Sequence, residues 1–139
     1  MAGTWYVEID VTQEPFDMGL DGQSRARSGF NLIAWKRPSE TFIRELMKLL
    51  QDASVGSMGV DIFGSTRSFV PEGDGPFINV STTGGLRHIR TQNSVIVPAY
   101  QRPSVQIVAR ARQWEAADAM AWKAYNALVG IRNQGVTAA

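Results

Sequence analysis

The sequence predicts an α+β fold in which a mostly antiparallel β-sheet carries two helices packed on one side, with long inter-strand loops and N-terminal extra strands. Apolar and polar residues alternate in several short segments, which is the period of a half-buried strand. Residues 42–50 and 114–128 instead carry apolar residues at helical spacing. The predicted order is β-β-α-β-β-β-β-α. Helices do not alternate with strands in this order, which favours an antiparallel layer. A chain of 139 residues is most simply one domain, 1–139.

The N-terminal part of the chain contains two of these strands. Residues 5–12 alternate cleanly, and residues 30–36 form a second short strand. Residues 14–29 contain one proline and three glycines, and we expect a long mobile loop of the kind that is often functional. Residues 1–37 are therefore expected to be an N-terminal β extension of an α/β core that spans 38–133.

The first helix follows Pro38. Ser39 is its predicted N-cap, and Glu40 places negative charge in the first turn, where it suits the helix dipole. The helix runs to about Ala53. Its core-facing stripe consists of Phe42, Ile43, Leu46, Met47, Leu49 and Leu50.

Four strands are expected between the two helices. They cover residues 60–63, 77–82, 94–100 and 105–111. Residues 64–75 form a second long loop. Gly84 and Gly85 predict a sharp turn after Thr83, because paired glycines tolerate positive φ. Pro98 restricts its strand to an edge or an end of the sheet.

The last strand runs directly into the second helix. Alanines dominate this helix, so its surface is slim and can approach a sheet closely. Its apolar stripe is expected to contain Trp114, Ala117, Ala121, Tyr125 and Leu128. Gly130 can supply the left-handed stop, and residues 134–139 are expected to be a flexible tail.

Charge is distributed unevenly along the chain. Residues 1–74 contain 11 acids and 7 Lys or Arg, whereas residues 75–139 contain 2 acids and 7 Lys or Arg. The two parts therefore have net charges of −4 and +5. This asymmetry has three possible explanations. It can reflect chance and a solvated face, the acidic half of one copy can meet the basic half of the next, or the arginines can face nucleic acid.

The sequence contains no recognisable catalytic motif. His88 is the single histidine and there is no cysteine, so neither a multi-histidine nor a thiolate metal site can form. The glycine loops lack the lysine of a phosphate-binding motif, and residues 72–76 lack the ligand ladder of a calcium loop. We expect no catalytic residue, no cofactor and no metal. Neither a signal-peptide pattern nor an apolar run of about 20 residues is present, so no membrane role is expected.

Several short motifs resemble the small tail-terminator proteins of tailed bacteriophages, some of which are known as minor capsid proteins. The resemblance covers residues 39–133 and follows the order Pro, Gly-Pro-aromatic, Thr-Gly-Gly, Arg-Pro-x-x-Gln. Residues 1–37 depart from the pattern. The motifs are DIFGSTRSFVP at 61–71, GDGPFINV at 73–80, TTGG at 82–85, YQRPSVQIVARAR at 100–112 and NALVGIRN at 126–133.

The resemblance implies a structural virion protein of the neck and tail junction, not an enzyme. It implies a homo-oligomeric ring, commonly a hexamer, that caps the tail tube and joins it to the head-side connector or stopper protein. Assembly would take place in the host cytoplasm, and the implied location is the virion. DNA would pass through the lumen. Another neck component, a stopper or a tail-completion protein, is an alternative within the same class.

Contact surfaces are expected in the loops and along the arginine-rich half of the chain. The alternative from a different class is a DNA-contacting module in which arginines line a channel. The residues expected at interfaces are Arg25, Arg27, Arg67, Glu72, Asp74, Gly84, Gly85, Arg87, Arg90, Arg110 and Arg112.

Overall fold

A computed structural model describes residues 4–37, 41–64, 75–89 and 100–136. Within these ranges the chain forms seven strands and two helices. They are β1 (Thr4–Val11), β2 (Phe16–Leu20), β3 (Ala26–Lys36), α1 (Phe42–Asp52), β4 (Ile62–Gly64), β5 (Phe77–Ile89), β6 (Tyr100–Ala111), α2 (Trp114–Leu128) and β7 (Arg132–Val136).

The strands form one sheet in the order β4-β5-β6-β3-β1-β7, and β2 also pairs with β3. Every pairing is antiparallel except that of β4 with β5. Helix α1 contacts β4 and β5, α2 contacts β3 and β6, and the two helices touch each other. The predicted α+β class, with a mostly antiparallel sheet and two helices, is confirmed.

Strands β1 and β2 lie end to end along one edge of β3. Val11 pairs with Leu32 and Phe16 pairs with Gly29, so the chain leaves the sheet only briefly around Pro15. We call residues 16–29 the arm: β2, a turn at 21–25, and the start of β3. The long mobile loop predicted for residues 14–29 is therefore wrong.

Gly29 explains why the loop prediction failed. A Cβ at this position would lie 2.3 Å from the Ile107 carbonyl oxygen and 2.8 Å from Met18 Sδ. Glycine is needed here because the backbones of neighbouring strands come too close for a side chain. The residue therefore packs inside a sheet instead of marking a loop.

Strand β3 is a central strand of the sheet, not an appended one. It pairs with β6 from Ala26 opposite Ala111 to Lys36 opposite Gln101. Phe30, its side chain fully buried, belongs to the main hydrophobic core. Residues on both sides of position 37 therefore contribute to one sheet and one interior.

Strand β5 is longer than residues 77–82, and it contains the glycine pair that was predicted to turn. Gly84 pairs with Ser104 and Gly85 with Pro103, with a register shift after Thr82. Their φ angles are +100° and +142°, which L side chains rarely adopt. The glycines therefore form a bulge that lets the strand continue, and the sharp turn was a wrong prediction.

Strand β7 was not predicted. Thr4 pairs with Val136 and Trp5 with Gly135, so residues 134–136 of the expected flexible tail belong to the sheet. The segment RNQGV has no clear alternation, and its position depends on the edge that β1 offers. Ser39, most of the loop at 64–75 and most of the strand at 94–100 lie outside the described residues.

The core lies between the helices and one face of the sheet. Alternate residues of β3 are buried, as a period of two requires. Ala117, Ala121 and Ala124 of α2 are fully buried, which confirms the close approach expected of an alanine-rich helix. Trp114 remains 38% exposed, so its placement in the apolar stripe was wrong.

Candidate functional site

The face of the sheet opposite the helices has no covering layer among the described elements. We call it the open face. On β3 it carries the odd-numbered residues, which are mostly half-buried, while the even-numbered ones fill the core. Because a strand alternates its side chains between two faces, the open face is continuous across β5, β6, β3 and β1. Any contact function of the sheet is most directly accessible here.

A cavity of about 270 Å³ opens on this face beside the arm. We call it the arginine pocket. Three strands and the turn of the arm surround it. Its lining residues are Asp21, Arg27, Phe77, Asn79, Ser81, Gln106, Val108 and Arg110.

Strand register brings the pocket residues together. Arg27 on β3 lies opposite Arg110 on β6, and Arg110 lies opposite Phe77 on β5. Like charges placed directly opposite in a sheet are unfavourable, so this pair needs a compensating anion. The turn of the arm supplies one in Asp21.

Asp21 is held by its own turn. Its Oδ1 accepts the backbone N–H groups of Gln23 and Arg25, both at 2.9 Å, and its Oδ2 accepts Arg25 Nε at 2.8 Å. Arg110 Nε lies 3.9 Å from the same Oδ2. The hydrogen bond from the Arg25 backbone is the main cause that lowers the pKa of Asp21 to about 2. Asp21 is therefore ionised at neutral pH.

Two arginines line the pocket together with Asp21. Arg27 and Arg110 form part of its wall, and Arg25 contacts the Asp21 carboxylate without belonging to the wall. Arg110 stacks on Phe77, with its guanidinium carbon 5.5 Å from the ring centroid. These contacts hold the guanidinium group in a fixed direction at the edge of the cavity.

Arg27 connects the pocket to the arm. Its Nη2 donates to the carbonyl oxygens of Met18 at 3.0 Å and Leu20 at 3.4 Å. The carbonyls belong to β2, so the guanidinium group of Arg27 supports the strand that borders the pocket. Folding of the arm and orientation of Arg27 therefore depend on each other.

Asn79 is the least satisfied polar group of the pocket. Its side chain is 8% exposed, and Oδ1 is buried without a hydrogen-bond partner among the described residues. Leaving such a group unsatisfied typically costs about 1–3 kcal/mol. A rotation of χ2 by 180° exchanges the oxygen and the NH₂ group, so the amide can either accept from or donate to an incoming group.

Acidic side chains occupy another part of the open face. On β1, Asp10 lies opposite Ile33 and Glu8 lies opposite Trp35. Asp10 is exposed, while Glu8 Oε1 lies 3.5 Å from Arg132 Nη2. Ile33 lies six positions after Arg27 on β3, which is about 20 Å along the strand.

Apolar side chains lie near the acids. Trp5 is 46% exposed, and Ile33 and Trp35 are half-buried. The Arg102 guanidinium carbon lies 5.5 Å from the centroid of the Trp35 ring. Aromatic and arginine side chains are enriched at protein interfaces, and their presence here is consistent with a contact surface.

The predicted interface residues divide into three groups. Arg27 and Arg110 line the pocket, and Arg25 contacts its Asp21. Arg112 is exposed beyond the end of β6, and Gly84 and Gly85 lie in the bulge of β5. The backbone of Arg87 lies in β5, but its side chain is outside the described part. Arg67, Glu72, Asp74 and Arg90 also lie outside the described residues.

Sequence reasoning missed the uncharged pocket residues. Phe77, Asn79 and Ser81 alternate with the buried Ile78 and Val80, so the period of β5 already placed them on the face opposite the core. No local signal indicated that an arm would enclose them. The missed acid, Asp21, stands four residues before Arg25 in a segment that was interpreted as a loop.

A second polar cluster is buried between β1, β3 and α1. The Glu45 carboxylate accepts hydrogen bonds from Thr4 Oγ1 at 2.6 Å, Tyr6 OH at 2.7 Å and Thr41 Oγ1 at 2.7 Å. Lys36 is fully buried, and its positive charge interacts with the same carboxylate. The cluster fastens the first strand to the first helix, and we assign it a structural role.

Burial dominates the titration of this cluster. It lowers the pKa of Lys36 to about 8, although the charge of Glu45 acts in the opposite direction. Burial also raises the pKa of Tyr6, and the hydrogen bond to Glu45 adds to this effect. For Glu45 itself, burial alone would raise the pKa, but the three hydrogen bonds and Lys36 together lower it.

Neither a metal-binding cluster nor a membrane-spanning helix occurs in the described ranges. These ranges contain no group of three or more His, Asp or Glu residues arranged to hold a metal ion. Neither α1 nor α2 is long and apolar enough to cross a membrane.

Relatives were sought among models of protein families, curated proteins and solved structures. None of the three comparisons gave a match.

Proposed function

We propose that this chain is a structural virion protein of the phage neck, a tail terminator that assembles into a ring. The observation that carries the proposal is the open face, which presents a pocket lined by Arg27 and Arg110 and a separate exposed carboxylate, that of Asp10, about 20 Å away. These two features cannot meet within one copy. A surface with complementary patches that cannot satisfy each other internally favours association between copies.

The sequence motifs give the association its biological setting. They resemble tail terminators over residues 39–133, and the described part of that range contributes strands β4 to β6 and both helices to one compact core. The proposed partners are copies of the chain itself in a ring, commonly six, the tail tube protein, and the head-side connector or stopper.

The proposed mechanism is steric and adhesive, without catalysis. One face of the ring matches the last ring of tube subunits and prevents further addition, and the opposite face accepts the connector. DNA passes through the lumen. Each contact between copies is expected to bury about 800 Å² per partner, the usual size of a stable specific interface.

Negative-stain microscopy of the purified protein, with and without tail tubes, tests this function. Rings of uniform diameter that cap one end of each tube are expected, with the mass of the ring measured in parallel by light scattering. A protein that stays monomeric at all concentrations and leaves both tube ends bare would contradict the proposal. Rings that bind connectors but ignore tubes would indicate a stopper instead.

DNA contact is a second candidate function. Residues 75–139 carry an excess of five positive charges, and Arg112 is exposed at the end of β6. Because nucleic-acid affinity depends largely on neutralised phosphates, a gel shift with short duplexes should appear at low salt and disappear as salt rises. No shift at any salt concentration would remove this candidate.

A further inference from the structure

We propose that the arginine pocket binds an adenine base at the end formed by Asn79, Ser81, Gln106 and Val108, which we call the amide end. The base is that of a free nucleoside or of an unpaired position in a nucleic acid. This inference goes beyond the proposed function, because it assigns a ligand class to the pocket and requires no ring.

The amide end lies along β5 and β6, beyond the row that contains the arginines. Side chains on one face of a strand recur at every second residue, so each row lies about 7 Å from the next. A ligand at the amide end therefore needs no contact with Arg27 or Arg110, whatever other partners these two residues have. Successive rows place Phe77 opposite Arg110, Asn79 opposite Val108, and Ser81 opposite Gln106.

Asn79 is the residue that points to a ligand. Its side chain is 8% exposed, its Oδ1 is buried without a partner, and no hydrogen bond to either end of its amide occurs within the described chain. Buried polar side chains normally have a hydrogen-bond partner. A half-turn about χ2 exchanges the oxygen and the NH₂ group without breaking a described bond, so the amide can both accept from and donate to a group in the cavity.

The neighbouring polar residues have the same dual character. Ser81 and Gln106 line the cavity, both are half-buried, and neither side chain makes a hydrogen bond in the ranges that the structure describes. A hydroxyl group and a carboxamide can each donate and accept. The amide end is therefore uncharged and suited to a group that carries a donor beside an acceptor.

Adenine presents this combination on one edge. Its N6 amino group donates and its N7 accepts, and a carboxamide that accepts from N6 while it donates to N7 is the usual contact of Asn or Gln with this base. Asn79 supplies this bidentate contact, and Ser81 and Gln106 flank it. Guanine presents two acceptors on the same edge and cannot donate to the Asn79 oxygen there.

The apolar residues of the pocket suit a flat ring. Val108 and Phe77 line the cavity and are both half-buried. Apolar and aromatic side chains stack favourably against the faces of bases. A cavity of about 270 Å³ accepts a base only when the base is free of a duplex stack.

Titration of the ¹⁵N-labelled protein with nucleosides, followed at the side-chain NH₂ resonances of Asn79 and Gln106, tests the site. Adenosine is expected to shift both resonances to saturation. Two analogues of the same shape lack one group each: 7-deazaadenosine lacks the N7 acceptor, and purine riboside lacks the N6 amino group. Each should bind at least about fivefold more weakly than adenosine. Since these comparisons use the wild-type protein alone, a folding defect cannot imitate the result.

Asn79→Leu removes the amide while it approximately keeps the size of the side chain. Affinity for adenosine is expected to fall at least about fivefold, and the preference over 7-deazaadenosine is expected to disappear. The melting temperature should equal or exceed that of wild type, because an unsatisfied buried oxygen is removed. The matched control is Asn126→Leu, an exposed position on α2, which should bind adenosine like wild type.

Single-stranded oligodeoxyadenylate and its duplex with oligothymidylate distinguish the two sources of the base. Tighter binding of the single strand than of adenosine, lost in the duplex, assigns the site to unpaired nucleic acid. Equal affinity per site for the strand and for adenosine assigns the site to free nucleosides.

Three results would overturn the inference. They are unchanged Asn79 and Gln106 resonances throughout the adenosine titration, equal affinities for adenosine and both analogues, and wild-type affinity in Asn79→Leu. The ring is measured separately, by microscopy and light scattering. Rings without adenosine binding would leave the proposed function standing, and adenosine binding without rings would leave the adenine site standing.

Discussion

At the scale of single residues, the fold depends on polar groups that are buried together. Glu45 is almost fully buried, and three hydroxyl groups from β1 and from the start of α1 satisfy it. A charged group in the interior is tolerated only where hydrogen bonds and an opposite charge replace its water. The cluster therefore ties the N-terminal strand firmly to the helix layer.

Tyr6→Phe removes one hydrogen bond from the buried carboxylate. The free energy of unfolding is expected to fall by about 1–3 kcal/mol, because the bond is charge-assisted and Glu45 cannot regain it from water. Urea unfolding measures the change. Tyr125→Phe is the matched control, since no hydrogen bond of the Tyr125 hydroxyl is seen in the described chain, and it should change stability by less than about 0.5 kcal/mol.

Lys36 makes stability depend on alkaline pH. In the folded protein its pKa is lowered to about 8 from the ordinary value of 10.5. Between these values the unfolded chain binds more protons than the folded one, so raising the pH favours folding. From pH 8 to pH 10, wild type should gain about 2 kcal/mol relative to Lys36→Met.

Chemical unfolding of both proteins at pH 8 and pH 10 measures this difference. Using Lys36→Met as the reference cancels the titration of all other groups that the two chains share. A constant difference between the two pH values would show that Lys36 keeps its ordinary pKa in the folded state.

At the scale of elements, the arm decides whether the pocket exists. Among the strands of the described ranges, β2 pairs with β3 alone, and most of its residues are exposed. Arg27 fastens the β2 carbonyls, and Asp21 closes the turn through Arg25. The arm is therefore the element whose loss should abolish the pocket while the helix-covered core survives.

Gly29→Ala tests the dependence of the arm on close backbone approach. The added Cβ would lie 2.3 Å from the Ile107 carbonyl oxygen, so β3 must move away from β6 or displace Met18. A loss of about 1–3 kcal/mol in stability is expected, with faster hydrogen exchange of the β2 amides.

Gly22→Ala is the matched control within the arm. A Cβ at residue 22 would meet nothing within 4 Å, and the residue does not need a positive φ. Its stability should stay within about 0.5 kcal/mol of wild type. Equal effects of the two substitutions would show that close packing at Gly29 is not what fixes the arm.

At the scale of the whole molecule, the main property of the fold is where it places the positive and negative charges. The net charge of +1 conceals an acidic N-terminal half and a basic C-terminal half. Folding does not keep these halves apart, because Arg27 of the first half and Arg110 of the second line one pocket. The open face consequently carries both signs at separate places.

Assembly of the wild-type protein should weaken as salt rises. Contacts between charged groups are screened within about 8 Å at physiological ionic strength and about 3 Å at 1 M. Sedimentation at 50 mM and 500 mM sodium chloride is expected to show a lower association constant at the higher concentration. Stronger association at high salt would indicate that apolar burial, and not charge, drives the contact.

The class of the fold was predictable because it follows from short-range patterns. The alternation in β1, β5 and β6 and the stripes of α1 and α2 determine which side of each element is apolar, and a mostly antiparallel sheet with two helices follows from burying those sides. Arg27 and Arg110, which line the pocket, were named from the sequence as interface residues, but no sequence pattern predicted the pocket itself.

The arm, the glycine bulge and β7 were decided by tertiary structure. Gly29 and the pair Gly84 and Gly85 resemble loop residues locally, and only the approach of a neighbouring strand shows that they lie within a sheet. Strand β7 has no pattern of its own and forms because β1 offers an unpaired edge. Sequence determined which residues prefer the interior, whereas long-range backbone pairing decided which segments became strands and which charges meet.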